Sequence, residues 1–433
     1  MRSSHYLTRF LPLLILTSLL IIIALRASSD LSHLRPLLAA LTERAEALHT
    51  ALISPLAVPP PPAPVPPTPP SSAQPEPQLP REERRPRLPE GLAHAITSLE
   101  HYPLLARSVI ARKESRYLRQ SPAKLSLARQ LGYDEHFDRA RRGVEVNALF
   151  AQRVAELGRE RYALGAQPLG TEEEAEFGIV DLAMGHLSRD WSAQGEKERE
   201  AVFPPVLSAL QAFFGPQAGA EEGGRRVLVP GSGMGRLASD VADLGFQVTA
   251  NELDYGSILT YHFLSNTSHT PALHTHTLHP FATKWTHQLF PNSRYTAITF
   301  PDHPPNPRVS LIEGDFLKVF PEGGTYDAVV TLFFIDMSES VVDFLENIHR
   351  LLKPGGLWVN LGPLKWGTHS DMQLSAHEVL HLASLLGFDV DHQGRRSIDS
   401  VYAAQPDTLL RFTYGASPFV VLGGLGGESV RRC

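Results

Sequence analysis

The strongest chemical signal in the chain is a glycine triplet with an acid beyond it. Gly231, Gly233 and Gly235 stand in GSGMGR, directly after the β-branched run RRVLVP. Glycines at this spacing let a backbone turn sharply and approach a ligand, and a helix after them offers free N–H groups. Glu252 closes the next apolar run, FQVTANE, seventeen residues after Gly235. A carboxylate there suits the two hydroxyls of a ribose. The expected ligand is a nucleoside, with a purely structural turn as the other reading. Two more acids lie downstream, Asp315 in VSLIEGDF and Asp336 in YDAVVTLFFID. Asp336 ends a run that reads as a buried central strand, and open α/β sheets bind ligands at the carboxyl ends of such strands. It also reads as the N-cap of a helix beginning near Met337.

Other polar residues invite plainer readings. His274, His276, His279 and His287 are loosely spaced with no acid or cysteine among them, so no metal site is assigned. With Trp285 they fit an inserted lid better. Trp191, beside Arg189 and Asp190 at an expected helix end, is a packing residue or a ligand contact, and the pattern does not separate the two. Phe333 and Trp358 read as core.

The elements that must hold these groups follow from periodicity. Strand, glycine turn, helix (LASDVADLG, ending at Gly245) and strand with a terminal acid make the first half of a doubly wound fold. Further strands are expected at 309–316 and 326–336. IHRLLKPGGLWVN then reads as a helix, a Pro-Gly-Gly stop and another strand. Residues 91–210 carry apolar residues at three-to-four spacing and are expected to be helical. The basic residues between Arg81 and Arg142 are interleaved with acids, which favours solvated helix faces over a basic patch.

The whole chain has 433 residues, 40 basic against 46 acidic, a net charge of -6 and one cysteine, Cys433. This balance argues against a nucleic-acid partner, and one cysteine excludes a disulfide framework or a Cys-rich zinc site. Fifteen of the 36 prolines fall between Pro55 and Pro89. That stretch cannot pair into a sheet and reads as a stiff spacer rather than an SH3 or WW ligand. Before it, residues 10–25 are uncharged and apolar and are bracketed by Arg9 and Arg26. Bulky Ile22 and Leu25 stand where a signal peptidase needs small residues, so an uncleaved single-pass membrane anchor is favoured over a cleaved signal peptide. The expected organisation is an anchor and short stem at 1–53, a Pro-rich linker at 54–89, a helical part at 90–220 and a sheet-bearing core at 221–433. The catalytic unit is expected on the cytosolic side, where cofactor is supplied.

The order of these pieces resembles the class I S-adenosylmethionine-dependent methyltransferases. A narrower resemblance is to the carnosine N-methyltransferases. LSRDWSAQGEKERE, VLVPGSGMGRLA, NELDY, PFATKWTHQLF, FPDHPP, GDF, FFID and LKPGGLWVNLGPL follow in that family's order, from about Asp181 to Tyr402. The usual class I acid two residues before the first glycine is Val229 here, as in the family's own LVPG form.

This resemblance implies an α/β fold: a doubly wound seven-stranded class I sheet with an N-terminal helical extension. It implies S-adenosyl-L-methionine as cofactor and an imidazole nitrogen of carnosine, or a similar His-containing dipeptide, as methyl acceptor. Arg189 of RDW would meet the cofactor's carboxylate, and His186 stands where the family has a cofactor-contacting Gln. Gly231 and Gly233 would line the cofactor loop, Glu252 would hold the ribose, and Asp315 and Phe316 would bind and stack the adenine. Leu332 completes the cofactor set. Asp336 would be the catalytic and substrate-binding acid, with Tyr402 as a substrate contact. His369 lies two positions away from a family substrate histidine, which bears on substrate identity. A homodimer is a further expectation. The residues also admit an NAD-dependent oxidoreductase, or a membrane-tethered cofactor-binding protein without turnover.

Overall fold

A computed structural model describes residues 88–89, 91–215, 224–390, 397–402 and 407–422. The chain divides into two units, Met1–Glu82 and Glu83–Cys433, and every described residue belongs to the second. The expected anchor, and the expected linker apart from Leu88 and Pro89, lie outside the described residues. Among the described residues, no helix is long and apolar enough to cross a membrane.

The amino-terminal part is helical, as its periodicity predicts. Helices α1 (Leu92–Leu118), α2 (Pro122–Gln130), α3 (Glu135–Arg161), α4 (Phe177–Trp191) and α5 (Glu196–Phe214) follow one another. Strand β1 (Arg226–Pro230), helix α6 (Arg236–Asp243), strand β2 (Gln247–Glu252) and helix α7 (Tyr255–Ser265) then form the predicted half of the wound fold. Strands β3 (His276–Leu278) and β4 (Ile298–Phe300) make a separate antiparallel pair. The rest comprises β5 (Val309–Glu313), β6 (Tyr326–Leu332), α8 (Val341–Leu351), β7 (Leu352–Gly362), α9 (Ala376–Leu385), β8 (Asp389–Val390), β9 (Ile398–Tyr402) and β10 (Phe412–Leu422).

The main sheet runs β5-β2-β1-β6-β7-β10-β8, and β9 pairs with β10 beside this path. The first five strands are parallel, while β10 is antiparallel to both β7 and β8. The seven-stranded expectation therefore holds along the path, with β9 as an added eighth strand. A dinucleotide-binding sheet would continue in parallel, so the reversed β10 argues against the oxidoreductase alternative. The strand order reverses between β1 and β6, which makes the crevice at their carboxyl ends the ligand position.

Alternation along the central strands explains the two covered faces. Val227, Val229, Ala328, Val330, Leu357 and Val359 point to one core with α5 and α6. Leu228, Val329 and Trp358 point to the other with α8 and α9. Such near-continuous apolar runs are what strands buried on both faces require. Trp358 is fully buried, and its indole N–H donates to Thr331 Oγ1 at 2.9 Å. A third core joins α1, α3 and α4 to α7 and the β3–β4 pair. The helical extension is thus packed onto the wound fold beside its glycine loop, and α5, although amino-terminal to residue 220, covers a face of the sheet.

Candidate active site

The glycine loop joins β1 to α6 at the switch point. Gly231 has φ 60°, and a Cβ there would clash with the Phe334 ring. Gly233 has φ 54° and faces open space. Its N–H donates to Glu252 Oε2 at 2.7 Å, tying the loop to the end of β2. Glu252 Oε1 accepts from the N–H groups of Leu253 and Asp254. Burial pushes the Glu252 pKa up, against the pull of these three backbone donors. A carboxylate has about four acceptor positions, so one remains for a ligand hydroxyl.

Two adjoining cavities open here. The first is about 80 Å³ and is lined by Gly231, Ser232, Gly233, Leu332 and Phe333 among others. The second is about 550 Å³ and lies over α4, bordered by His186, Phe281, Lys284 and Phe412. Arg189, Glu198 and Tyr402 line both, so the two meet there. Arg189 is held by a bidentate pair with Asp190 at 2.6 and 3.0 Å. Burial lowers the His186 pKa to about 4, helped by the nearby Arg189 charge, so His186 is neutral at pH 7. Phe333 packs against the sheet core as expected, and it also takes a left-handed φ of 53° just past β6 and stacks on Tyr402 at 6.0 Å. A bulky side chain in that region is strained, and such strain collects at functional sites.

A buried charge network braces the junction. Asp302 accepts from Arg199 at 2.8 Å and from Arg236 at 2.6 Å, and its N–H donates to the Trp191 carbonyl at 2.9 Å. Arg236 also donates to Asp240 and to the Asp190 carbonyl, and it lies over the Trp191 ring. Arg199 donates to the carbonyls of Arg189 and Ser192. Trp191 itself is fully buried and donates to the Met234 carbonyl in the glycine loop at 2.9 Å. RDW is therefore one bracket between α4, α5, α6 and the 301–305 turn. Sequence reasoning assigned no role to Asp302, Arg199 or Arg236. LSRDWSAQGEKERE, GSGMGR and FPDHPP contain Arg199, Arg236 and Asp302, but nothing in those motifs says that they meet.

Of the expected cofactor residues, His186, Arg189, Gly231, Gly233 and Leu332 line the cavities, as does the expected substrate residue Tyr402. Glu252 reaches the first cavity through Gly233. Asp315 lies off both cavities, paired with Lys318 at 2.7 Å. Phe316 is buried in an aromatic cluster with Phe320, Phe334 and Phe344. Just before them, Glu313 accepts from Tyr162 at 2.6 Å and Tyr255 at 3.2 Å, with His262 Nε2 at 3.0 Å. This hub fixes the end of β5 to α7 and to the residue after α3.

Asp336 is 5% exposed in the turn Ile335–Met337, and its Oδ2 accepts the Lys365 N–H at 2.8 Å. Burial pushes its pKa up. It does not cap the next helix: Ser340 does, accepting from Asp343 N–H, and the helix begins at Val341 rather than near Met337. His369 is exposed, with Nε2 3.4 Å from the Met337 carbonyl, and both it and Asp336 lie outside the linings of the two cavities. The expected histidine lid is divided. His276 is buried against Phe263 and Phe300, whereas His287 borders the second cavity. Among the described residues, the one His-and-acid group close enough to share an ion is Asp240, Asp243 and His303, away from that segment.

A family model for carnosine N-methyltransferase matches residues 170–423, more than half of the chain. The chain belongs to that family. The carnosine N-methyltransferase of Rattus norvegicus is 33% identical over 248 residues, covering 54% of this chain and 60% of the rat protein. The Schizosaccharomyces pombe carnosine N-methyltransferase is 29% identical over 258 residues, covering 54% of this chain and 68% of that protein. The Drosophila melanogaster protein "Carnosine N-methyltransferase unmet" is 30% identical over 238 residues, covering 53% and 51%. The chain thus spans about 60% of the length of the rat relative. These matches give no support to an oxidoreductase.

Proposed function

We propose that this protein transfers a methyl group from S-adenosyl-L-methionine to an imidazole nitrogen of carnosine or a similar His-containing dipeptide. The observation that carries the reading is the meeting of Arg189, the glycine loop and Tyr402 at two adjoining cavities on the switch point of a class I sheet. The glycine loop and the Arg189–His186 side of the junction suit the cofactor, which would span both cavities because about 80 Å³ holds only part of it, and the residues present fit it. Gly233 leaves open space, Glu252 keeps one acceptor position, and the buried Ser232 hydroxyl has no hydrogen-bond partner. Two guanidinium donors of Arg189 are spent on Asp190, and the others remain for a carboxylate.

When bound, the cofactor supplies a methyl group already activated by a sulfonium leaving group. The chain's residues then have to hold the acceptor nitrogen in line and keep water out. An imidazole is nucleophilic only when neutral, at the nitrogen without a proton. Asp336 would accept the N–H of the other ring nitrogen, fixing that tautomer and opposing the positive charge that forms on the ring. Its raised pKa makes it a better proton acceptor. Tyr402, which lines both cavities, would wall the acceptor side. No covalent enzyme intermediate is required.

The membrane tether belongs to the same proposal and rests on the uncharged run 10–25, while the cytosolic side of the catalytic unit rests on where the cofactor is supplied. Arginines at Leu16 and Leu20 should release the protein from a membrane fraction. The catalytic reading is tested with labelled cofactor and carnosine: transfer of label to the dipeptide is expected. Cofactor binding without transfer to any imidazole dipeptide would overturn the substrate assignment.

A further inference from the structure

The second cavity holds a charge pair that the proposed chemistry does not use. Asp181 on α4 and Lys284 on the 281–288 loop both line it, with Lys284 Nζ 3.3 Å from Asp181 Oδ2. The loop places the lysine firmly, since Lys284 N–H donates to the Phe281 carbonyl at 2.9 Å. The pair is a single contact, 39% exposed at the lysine and 29% at the aspartate. Such pairs contribute only about 0–1 kcal/mol, so a ligand can part them at little cost. Arg189 in the same cavity differs: it is locked to Asp190 in a bidentate pair.

We propose that Asp181 and Lys284 read the two charged ends of a zwitterionic dipeptide, Asp181 taking the amine and Lys284 the carboxylate. This rests on the methyltransferase reading and adds the determinant of acceptor choice. A ligand carrying both charges parts the pair and leaves neither residue unmatched. A ligand with one end capped opens the pair but satisfies only half of it, so it gains one ion pair where the zwitterion gains two. A cavity of about 550 Å³ is the size of a small-molecule site, which agrees with a short acceptor.

The test is steady-state kinetics of the full chain with carnosine, N-acetylcarnosine and carnosine amide. Wild type is expected to favour carnosine through KM, with kcat alike for all three. Lys284→Met should raise KM for carnosine about tenfold and leave the amide unchanged. Asp181→Asn should do the same for carnosine and leave the N-acetyl form unchanged. The swap Asp181→Lys with Lys284→Asp restores an ion pair, and so the melting temperature, but its carnosine KM should stay high because the ends are reversed. Equal KM changes for capped and uncapped peptides, or a normal carnosine KM in the swap, would show a mere latch and overturn the proposal. Failure of the wild type to methylate any of the three while S-adenosylhomocysteine binds would instead refute the underlying reading, and the proposal with it.

Discussion

Asp302→Ala removes the one carboxylate that two buried guanidiniums share. The Asp302 side chain is 12% exposed, and those of Arg199 and Arg236 are 10% exposed each. Hydrogen bonds to charged groups are worth about 1.5–3 kcal/mol each. Deleting one partner of a buried pair costs about 3–5 kcal/mol. Here the loss is softened: Arg236 keeps Asp240 and the Asp190 carbonyl, and Arg199 keeps the carbonyls of Arg189 and Ser192. The lower end, about 3 kcal/mol, is therefore expected. At about 2 °C per kcal/mol for a large domain, melting should fall by about 6 °C. Asp302→Asn keeps one acceptor oxygen and should lose roughly half as much. Because Asp302 and its two arginines brace the backbone from Arg189 to Ser192, S-adenosylhomocysteine should bind more weakly to both variants. The assays are urea unfolding and calorimetric titration. An Asp302→Ala protein with unchanged urea midpoint and unchanged ligand affinity would refute the idea that this network holds the site together.

Three further outcomes follow from single residues. Gly231→Ala places a Cβ against the Phe334 ring at a left-handed φ, so it should lower S-adenosylhomocysteine affinity at least tenfold by calorimetry. Burial alone would raise the Glu313 pKa, but hydrogen bonds from His262, Tyr162 and Tyr255 outweigh it and hold it at about 2. A depressed carboxylate pKa stabilises the fold above the unfolded value near 4.5, and this contribution is lost as pH falls toward 2. Glu313→Gln should thus cost at most about 3 kcal/mol at pH 7, with a gap to wild type that narrows below about pH 4.5, read by denaturant unfolding across pH. His186 titrates near 4, so His186→Gln should leave the pH profile of cofactor binding between pH 6 and 8 unchanged in shape.

The wound fold was legible because its strands are short apolar runs punctuated by glycines and acids. RVLVP, QVTANE and YDAVVTL each announce a buried strand, and each forms one. The reversal at β10 was not legible, because direction is set by which strand edge is free and not by local pattern. The glycine loop and Glu252 were found by spacing, since their contact is local to one β–α–β unit. Asp302 was missed because its partners lie 66 and 103 residues away, beyond the reach of any spacing rule. Phe333 reads as core and does pack against the sheet core, but its place in the cavity wall comes from a backbone conformation that no local pattern shows. Asp336 looked like a helix cap because Ser340, the true cap, lies only four residues on.

The most direct measurement is fragment mass spectrometry of the product formed by the full chain from carnosine and trideuteromethyl-labelled S-adenosylmethionine, beside the Asp336→Asn variant. The account predicts one labelled methyl on the imidazole ring with wild type. The variant should form that product at least 100-fold more slowly while keeping its affinity for S-adenosylhomocysteine. A label elsewhere on the dipeptide, no labelled dipeptide at all, or equal rates for wild type and Asp336→Asn would contradict it.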